Sequence, residues 1–70
     1  MGVLKTHDFS ITYVKRKRDE KGELEIVDVK DINVSVETKY KRQTSAKYAI
    51  SKGLHELNKN GEKWDYYMWS

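Results

Sequence analysis

The stretch from Ser45 to Gly61 most constrains the fold, because it is the one long segment with a clear helical period. Its small and apolar residues recur at intervals of three and four, which places them on one stripe of a helix. They are Ala46, Ala49, Ile50, Gly53, Leu54 and Leu57. Thr44 or Ser45 is the expected N-cap and Gly61 the expected left-handed stop. The pattern predicts one amphipathic helix over residues 45–60 with a single buried face.

Gly53 lies in the middle of this helix, where glycine costs about 1 kcal/mol relative to alanine. We therefore expect a neighbouring backbone or a bulky ring to pack tightly against it. The opposite face carries Tyr48, Lys52, His55 and Lys59. We interpret it as a solvated basic face on which the tyrosine lies over lysine stems.

A β-hairpin precedes the helix. Residues 9–18 alternate apolar and polar side chains and end in a basic run, which is typical of a strand. Asp19 and Gly22 suit a type I turn closed by a left-handed glycine over residues 19–22. If Asp19 pairs with Glu23, Lys17 faces Glu25 and forms a cross-strand ion pair. The same register predicts a helix-facing set of Phe9, Ile11, Tyr13, Val27 and Val29.

The other face of the hairpin collects Val14, Leu24 and Ile26. Two arrangements remain open for the next three apolar residues, Ile32, Val34 and Val36. A strand without interruption enlarges this outer patch, whereas a turn or bulge near residues 30–31 sends the three residues to the helix side. We favour one long, bent strand over residues 23–37.

The C-terminal residues 64–69 are dense in large rings. Trp64, Tyr66 and Met68 share one face of a strand, and Tyr67 and Trp69 share the other. A strand that is apolar on both faces needs cover on both, so it either completes this sheet or docks on a partner.

The predicted fold class is therefore α+β, in a single domain over residues 1–70. It consists of a β-hairpin followed by one amphipathic helix and a C-terminal strand, with the helix on one face of a three-stranded sheet.

Self-association is the favoured function class. A core built from 70 residues rarely supplies more than about 3–5 kcal/mol, and the chain has no cysteine and only two histidines. No disulfide, metal site or cofactor is expected to stabilise it, so we predict a homodimer that can also bind a protein partner. The predicted interface comprises Val14, Leu24, Ile26, Trp64, Tyr66, Tyr67 and Trp69.

Enzyme classes lack support in the sequence. It contains no glycine-rich phosphate loop and no nucleophile elbow, and we interpret His7 and His55 as surface residues. Because no long apolar run is present either, we expect a non-enzymatic cytoplasmic protein without a membrane span.

Low-specificity nucleic-acid binding is the alternative. The net charge is +3, divided into +3 over residues 1–22, −4 over 23–38 and +5 over 39–61. The basic hairpin and the helix start supply candidate phosphate contacts, namely Lys15, Arg16, Lys17, Arg18, Lys41, Arg42 and Lys47. The acidic middle segment neutralises part of this charge within the fold, which weakens the case for nucleic acid.

The hairpin FSITYVKRKRDEKGELEIVDVKDINVSV, the helix SAKYAISKGLHELNKNG and the tail KWDYYMW together resemble the YopT-type family of small Bacillus prophage proteins. That resemblance implies a homodimer with one helix and three strands per monomer, a prophage or phage-like origin, and a molecular role that is not assigned. It supplies no functional residues. Residues and resemblance together predict a homodimeric binding or regulatory module.

Overall fold

The computed structural model describes residues 3–70, which form three strands and one helix. Strand β1 spans Lys5–Arg18, β2 spans Leu24–Thr38, helix α1 spans Arg42–Asn58 and β3 spans Asp65–Trp69. The strands form one antiparallel sheet in the order β2-β1-β3, and α1 packs on one of its faces. The predicted α+β fold class is confirmed. Strand β1 begins earlier than expected because Lys5 already pairs with Thr38 at the end of β2.

The hairpin turn forms as its sequence predicts. The Asp19 N–H donates to the Glu23 carbonyl at 2.9 Å, and Gly22 has a φ of +81°. The Asp19 carboxylate also accepts the N–H groups of Lys21 and Glu23, each at 2.9 Å. Lys17 lies opposite Glu25 as expected. Their charged groups do not form one of the ion pairs within residues 3–70, so the predicted ion pair is wrong.

A β-bulge in β2 decides which side chains face the helix. The register runs without interruption from Lys5 opposite Thr38 to Lys15 opposite Asp28, and then shifts so that Arg16 lies opposite Ile26. Val27 is the extra residue. Because one inserted residue reverses the faces of everything beyond it, the following apolar residues reach the helix side, namely Ile32, Val34 and Val36.

The predicted placement of Val27 and Val29 against the helix is therefore wrong, and both side chains are exposed. The error came from extending the turn register through the whole strand. Residues 24–38 do form one continuous strand, and its bulge lies closer to the turn than the alternative near residues 30–31.

The core lies between the sheet and α1. Its buried members are Phe9, Ile11, Tyr13, Val34, Ala46, Ala49 and Trp64. The Tyr13 hydroxyl donates to the Ile50 carbonyl at 2.7 Å. Burial raises the pKa of the Tyr13 phenol, and a hydrogen bond with the Leu54 backbone opposes that rise. The Tyr13 ring is the bulky group expected beside Gly53, since a Cβ there would clash with the phenol oxygen and lie 2.9 Å from Cζ.

Helix α1 begins earlier than its sequence predicts. It starts at Arg42 after an extended Lys41 that makes no side-chain cap, so the assignment of Thr44 or Ser45 as N-cap is wrong. Ser45 is instead fully buried inside the first turns of the helix. Its hydroxyl bonds the Thr38 hydroxyl and the Tyr40 carbonyl, which ties the helix to the end of β2.

The helix stop is confirmed at Gly61, which has a φ of +85° and donates its N–H to the Asn58 carbonyl at 3.0 Å. The Asn58 side chain then holds the backbone of Trp64. Its Oδ1 accepts the Trp64 N–H at 2.7 Å, and its Nδ2 donates to the Trp64 carbonyl at 3.2 Å. These two hydrogen bonds direct the chain into β3, where Trp69 pairs with Ile11. The aromatic tail thus completes the sheet of its own chain.

Candidate interaction surface

The sheet face turned away from α1, here called the back face, carries four rows in the half nearest the hairpin turn. Because opposite residues in an antiparallel sheet point to the same side, the register defines each row. From the hairpin inward they are Arg18 with Leu24, Arg16 with Ile26, Val14 between Val29 and Asp65, and Thr12 between Asp31 and Met68.

The back face carries a continuous apolar patch formed by Leu24, Ile26, Val29 and Met68. These residues are 59%, 46%, 56% and 51% exposed, whereas Val14 on the same face is only 1% exposed. Val14 does not belong to the cluster under α1, so it is buried among its neighbours on the sheet. Isolated exposed apolar residues are ordinary, but neighbours in consecutive rows form a surface typical of protein contacts.

The charged residues that border the apolar patch are separated by sign along the strands. The cations Arg16 and Arg18 lie in the two rows nearest the turn, and the acids Asp31 and Asp65 lie in the two rows farther in. Arg16 approaches Asp65 within 3.9 Å, and the Thr12 hydroxyl donates to Asp31 at 2.5 Å. The face is therefore basic at one end and acidic at the other.

The structure separates the residues predicted as an interface into two groups. Trp64 is buried in the core, and Trp69 packs edge-on against Phe9 with ring centroids 5.4 Å apart, so neither indole is free for a partner. Leu24, Ile26, Tyr66 and Tyr67 are exposed, while Val14 lies at the centre of the apolar patch.

Sequence reasoning missed two members of the patch, Val29 and Met68. The available signal was the odd and even numbering of the apolar residues in β2. Val27 and Val29 are odd-numbered, whereas Ile32, Val34 and Val36 are even-numbered. Because alternate residues of a strand point to opposite faces, one uninterrupted strand cannot place both sets on the helix side, which indicates a bulge. Placing that bulge before Val29 turns Val29 outward.

The residues predicted to contact nucleic acid do not form one surface. The hairpin group lies roughly 20–30 Å from the helix start, since Lys15 is six and Arg18 nine positions along β1 from Phe9, which lies under Arg42. Several of the cations also have partners within the chain. Lys15 pairs with Glu62 at 3.1 Å, Arg18 donates to the Gly22 carbonyl at 3.0 Å, and Arg42 lies 4.5 Å from the Phe9 ring centroid. Lys17, Lys41 and Lys47 are exposed.

Lys15 belongs to a polar cluster around the Trp64 indole. The Trp64 Nε1–H donates to Glu62 Oε2 at 3.0 Å, and Lys15 Nζ lies 4.8 Å from the indole centroid. The hydrogen bond from Trp64, and secondly Lys15, hold the pKa of Glu62 below its ordinary value. A lowered folded pKa means that this contribution to stability is complete above the unfolded pKa of about 4.3 and is lost as the pH falls through the folded value.

We therefore expect the Trp64 indole N–H resonance to titrate with a midpoint below pH ~4.3, the ordinary glutamate value. Proton–nitrogen NMR spectra recorded during an acid titration measure it, with the Trp69 indole as internal reference. Glu62→Gln should abolish the titration. An unchanged midpoint in that variant would assign the titration to another carboxyl group.

Comparison of the chain with protein-family models, curated proteins and solved structures finds no match. In the part of the chain that the structure describes, no helix is both long and apolar enough to cross a membrane. Within residues 3–70, no three His, Cys, Asp or Glu side chains group closely enough to hold a metal ion. The geometry of the back face is therefore the basis for inferring a function.

Proposed function

We propose that the protein is a non-enzymatic binding module of phage or prophage type that acts as a homodimer, with the back faces of two copies stacked on each other. The apolar patch of Leu24, Ile26, Val29 and Met68 is the observation that carries this proposal. Stacked sheets pack about 10 Å apart and interdigitate such side chains. In such a dimer, the back face of each copy covers the apolar patch of the other, which is exposed in a single chain.

The order of the rows supports a twofold arrangement. A twofold axis in the interface, running across the strands between the Ile26 and Val29 rows, reverses the rows of one copy relative to the other. The Arg18 and Leu24 row then lies over the row that holds Asp31 and Met68 of the second copy. Ile26 of each copy then lies over Val29 of the other, and the basic end of each copy faces the acidic end of the other.

The shape of the molecule supports the same proposal. Its extents are 55 × 22 × 15 Å, so the thinnest dimension accommodates one sheet and one helix. A chain this small buries only about 60% of its unfolded surface, and a dimer interface adds burial without adding residues. The resemblance to a homodimeric prophage family also agrees with this arrangement.

The variant Leu24→Asp tests the proposal. A carboxylate at this position would lie over Asp31 of the second copy, so the stacked interface would bring two negative charges together. We expect the dissociation constant of the dimer to rise at least tenfold, measured by light scattering coupled to gel filtration over a dilution series. The control Lys17→Asp places the same side chain on the opposite face of the hairpin and should leave the dimer intact.

A charge exchange tests the orientation. Asp31→Arg should weaken the dimer by placing a second guanidinium group near Arg18 of the second copy, and adding Arg18→Asp should restore most of the lost affinity. A wild-type chain that stays monomeric at high concentration contradicts the dimer. Equal association of wild type and Leu24→Asp contradicts the stacked back faces and leaves another interface as the explanation.

A further inference from the structure

The outer edge of β2, beside α1, carries backbone groups that no strand of the described residues 3–70 pairs with. Ser10 exchanges both of its backbone hydrogen bonds with Ser70, so even-numbered residues of β1 in this region direct their backbone groups toward the β3 side. The backbone groups of Asp8 also point toward the β3 side. The backbone groups of Ser35, which lies opposite Asp8, therefore point away from β1. Asn33 and Glu37 follow by alternation. No strand of residues 3–70 pairs with their N–H and C=O groups, and the Ser35 carbonyl accepts a hydrogen bond from Lys52.

A groove runs along this edge between β2 and the exposed side of α1. Its larger part has a volume of about 620 Å³ and is lined by Val36, Lys39, Tyr40, Tyr48 and Lys52, among others. A smaller part of about 190 Å³ continues toward Ile32 and shares Ser35 and Lys52 with it. The groove therefore follows about eight residues of β2, a length of ~26 Å for extended chain.

Lys52 covers the centre of the groove. Its Nζ donates to the Ser35 carbonyl at 3.2 Å, which is one of the outward backbone acceptors. A lysine over a free strand edge protects it from uncontrolled pairing in the unbound protein. The same ammonium group is placed to bind a carboxylate once it swings away from Ser35.

The helix side of the groove is basic. Residues 39–55 contain five cations and no aspartate or glutamate, and Lys39 and Lys52 line the groove itself. Glu56 lines the smaller part of the groove and pairs with Lys59 at 3.1 Å. Glu37 lies opposite Thr6, which places its carboxylate on the back face. Tyr40 and Tyr48 stack with centroids 6.0 Å apart and are about half exposed, so they offer apolar contact at one end. Free backbone groups, cations and apolar rings suit an extended acidic peptide better than a nucleic acid.

We propose that this edge groove binds an extended acidic segment of another protein, which adds to β2 as a fourth strand. Backbone hydrogen bonds to Asn33, Ser35 and Glu37 give the affinity. Carboxylates near Lys39 and Lys52 select acidic sequences. The site lies at the sheet edge rather than on the back face, so it is independent of the proposed dimer.

Fluorescence anisotropy with labelled probes tests this proposal. The main probe is a peptide of about eight residues that alternates glutamate with valine, and its comparison probes replace glutamate with lysine or are thymidine oligonucleotides of equal length. We expect binding of the acidic peptide alone. Lys52→Glu should weaken it at least tenfold, whereas the matched charge reversal Lys21→Glu in the hairpin turn should have no effect.

The backbone component is tested at Asn33. Asn33→Pro removes an outward N–H from an edge position, where proline is tolerated, and should weaken peptide binding several-fold relative to Asn33→Ala. Circular dichroism checks that both variants fold. Equal binding of the acidic and lysine peptides, or binding of neither, overturns the proposal. Binding of the oligonucleotide without an effect of Asn33→Pro overturns it in favour of nucleic acid, and dissociation of the dimer by Asn33→Pro overturns it in favour of a second copy at this edge.

Discussion

Replacing Trp64 with alanine is expected to lower the free energy of unfolding by about 3–5 kcal/mol, the cost typical of deleting a large buried ring. That is close to the entire stability expected of a domain this small. The indole belongs to the core between the sheet and the end of α1, where its N–H donates to Glu62 and Asn58 holds the Trp64 backbone. The variant should therefore lose cooperative thermal unfolding, as followed by circular dichroism at equal protomer concentration.

Tyr67→Ala is the matched control for Trp64→Ala. Tyr67 lies in β3, the strand that directly follows Trp64, and is 52% exposed, so its loss should change the free energy of unfolding by less than about 1 kcal/mol. A cooperative transition in Trp64→Ala within a few degrees of wild type would mean that the tail does not complete the core. Equal damage from both variants would indicate that the whole strand acts through a contact outside the chain.

Gly53→Ala is expected to destabilise the protein by about 2 kcal/mol, although alanine is the better helix former by about 1 kcal/mol. The added methyl group enters the space of the Tyr13 phenol and also lies 3.0 Å from Ile32 Cδ1. Both neighbours are packed between sheet and helix, and Tyr13 would have to give up its hydrogen bond to the Ile50 carbonyl. Urea denaturation measures the difference.

A double-mutant cycle with Tyr13→Phe isolates the cause. Removing the phenol oxygen removes the closest contact of the new methyl group, so Gly53→Ala should cost less in the Tyr13→Phe background than in wild type. An equal cost in both backgrounds would assign the effect to the helix rather than to the ring. Ser51→Ala, at an exposed helix position, controls for helix propensity alone.

The parts of the fold predicted correctly are those with local signals. The hairpin turn follows from Asp19 and Gly22, because a left-handed glycine and a side chain that accepts backbone N–H groups act within a few residues. The helix follows from its period, and its tight contact follows from a glycine in a costly position. The end of the helix follows from Gly61 in the same way.

The parts predicted wrongly depend on contacts between different elements of the fold. Ser45 carries the right chemistry for an N-cap, but burial against Thr38 and Tyr40 gives its hydroxyl other partners. Val27 has no mark of a bulge in its own residue type. The bulge arises because Ile32 and Val34 need the helix side while the turn holds the start of the strand in the other register.

The candidate surface was predicted in part. Val14, Leu24 and Ile26 were assigned to the face away from the helix, and they lie there because the hairpin register holds between the turn and the bulge. Val29 and Met68 join them only through the bulge and through the pairing of β3 with β1. Trp64 and Trp69 were predicted to contact a partner because the composition of a strand does not say which of its rings its own core will bury.

The sequence by itself determined the elements, the turn, the close approach at Gly53 and the absence of cysteine chemistry, because each depends on residue types within a short segment. The tertiary structure decided the sheet order, the position of the bulge, the burial of the tail and the groove beside β2. Those features depend on which of several compatible pairings buries the most apolar surface, and that comparison involves the whole chain at once.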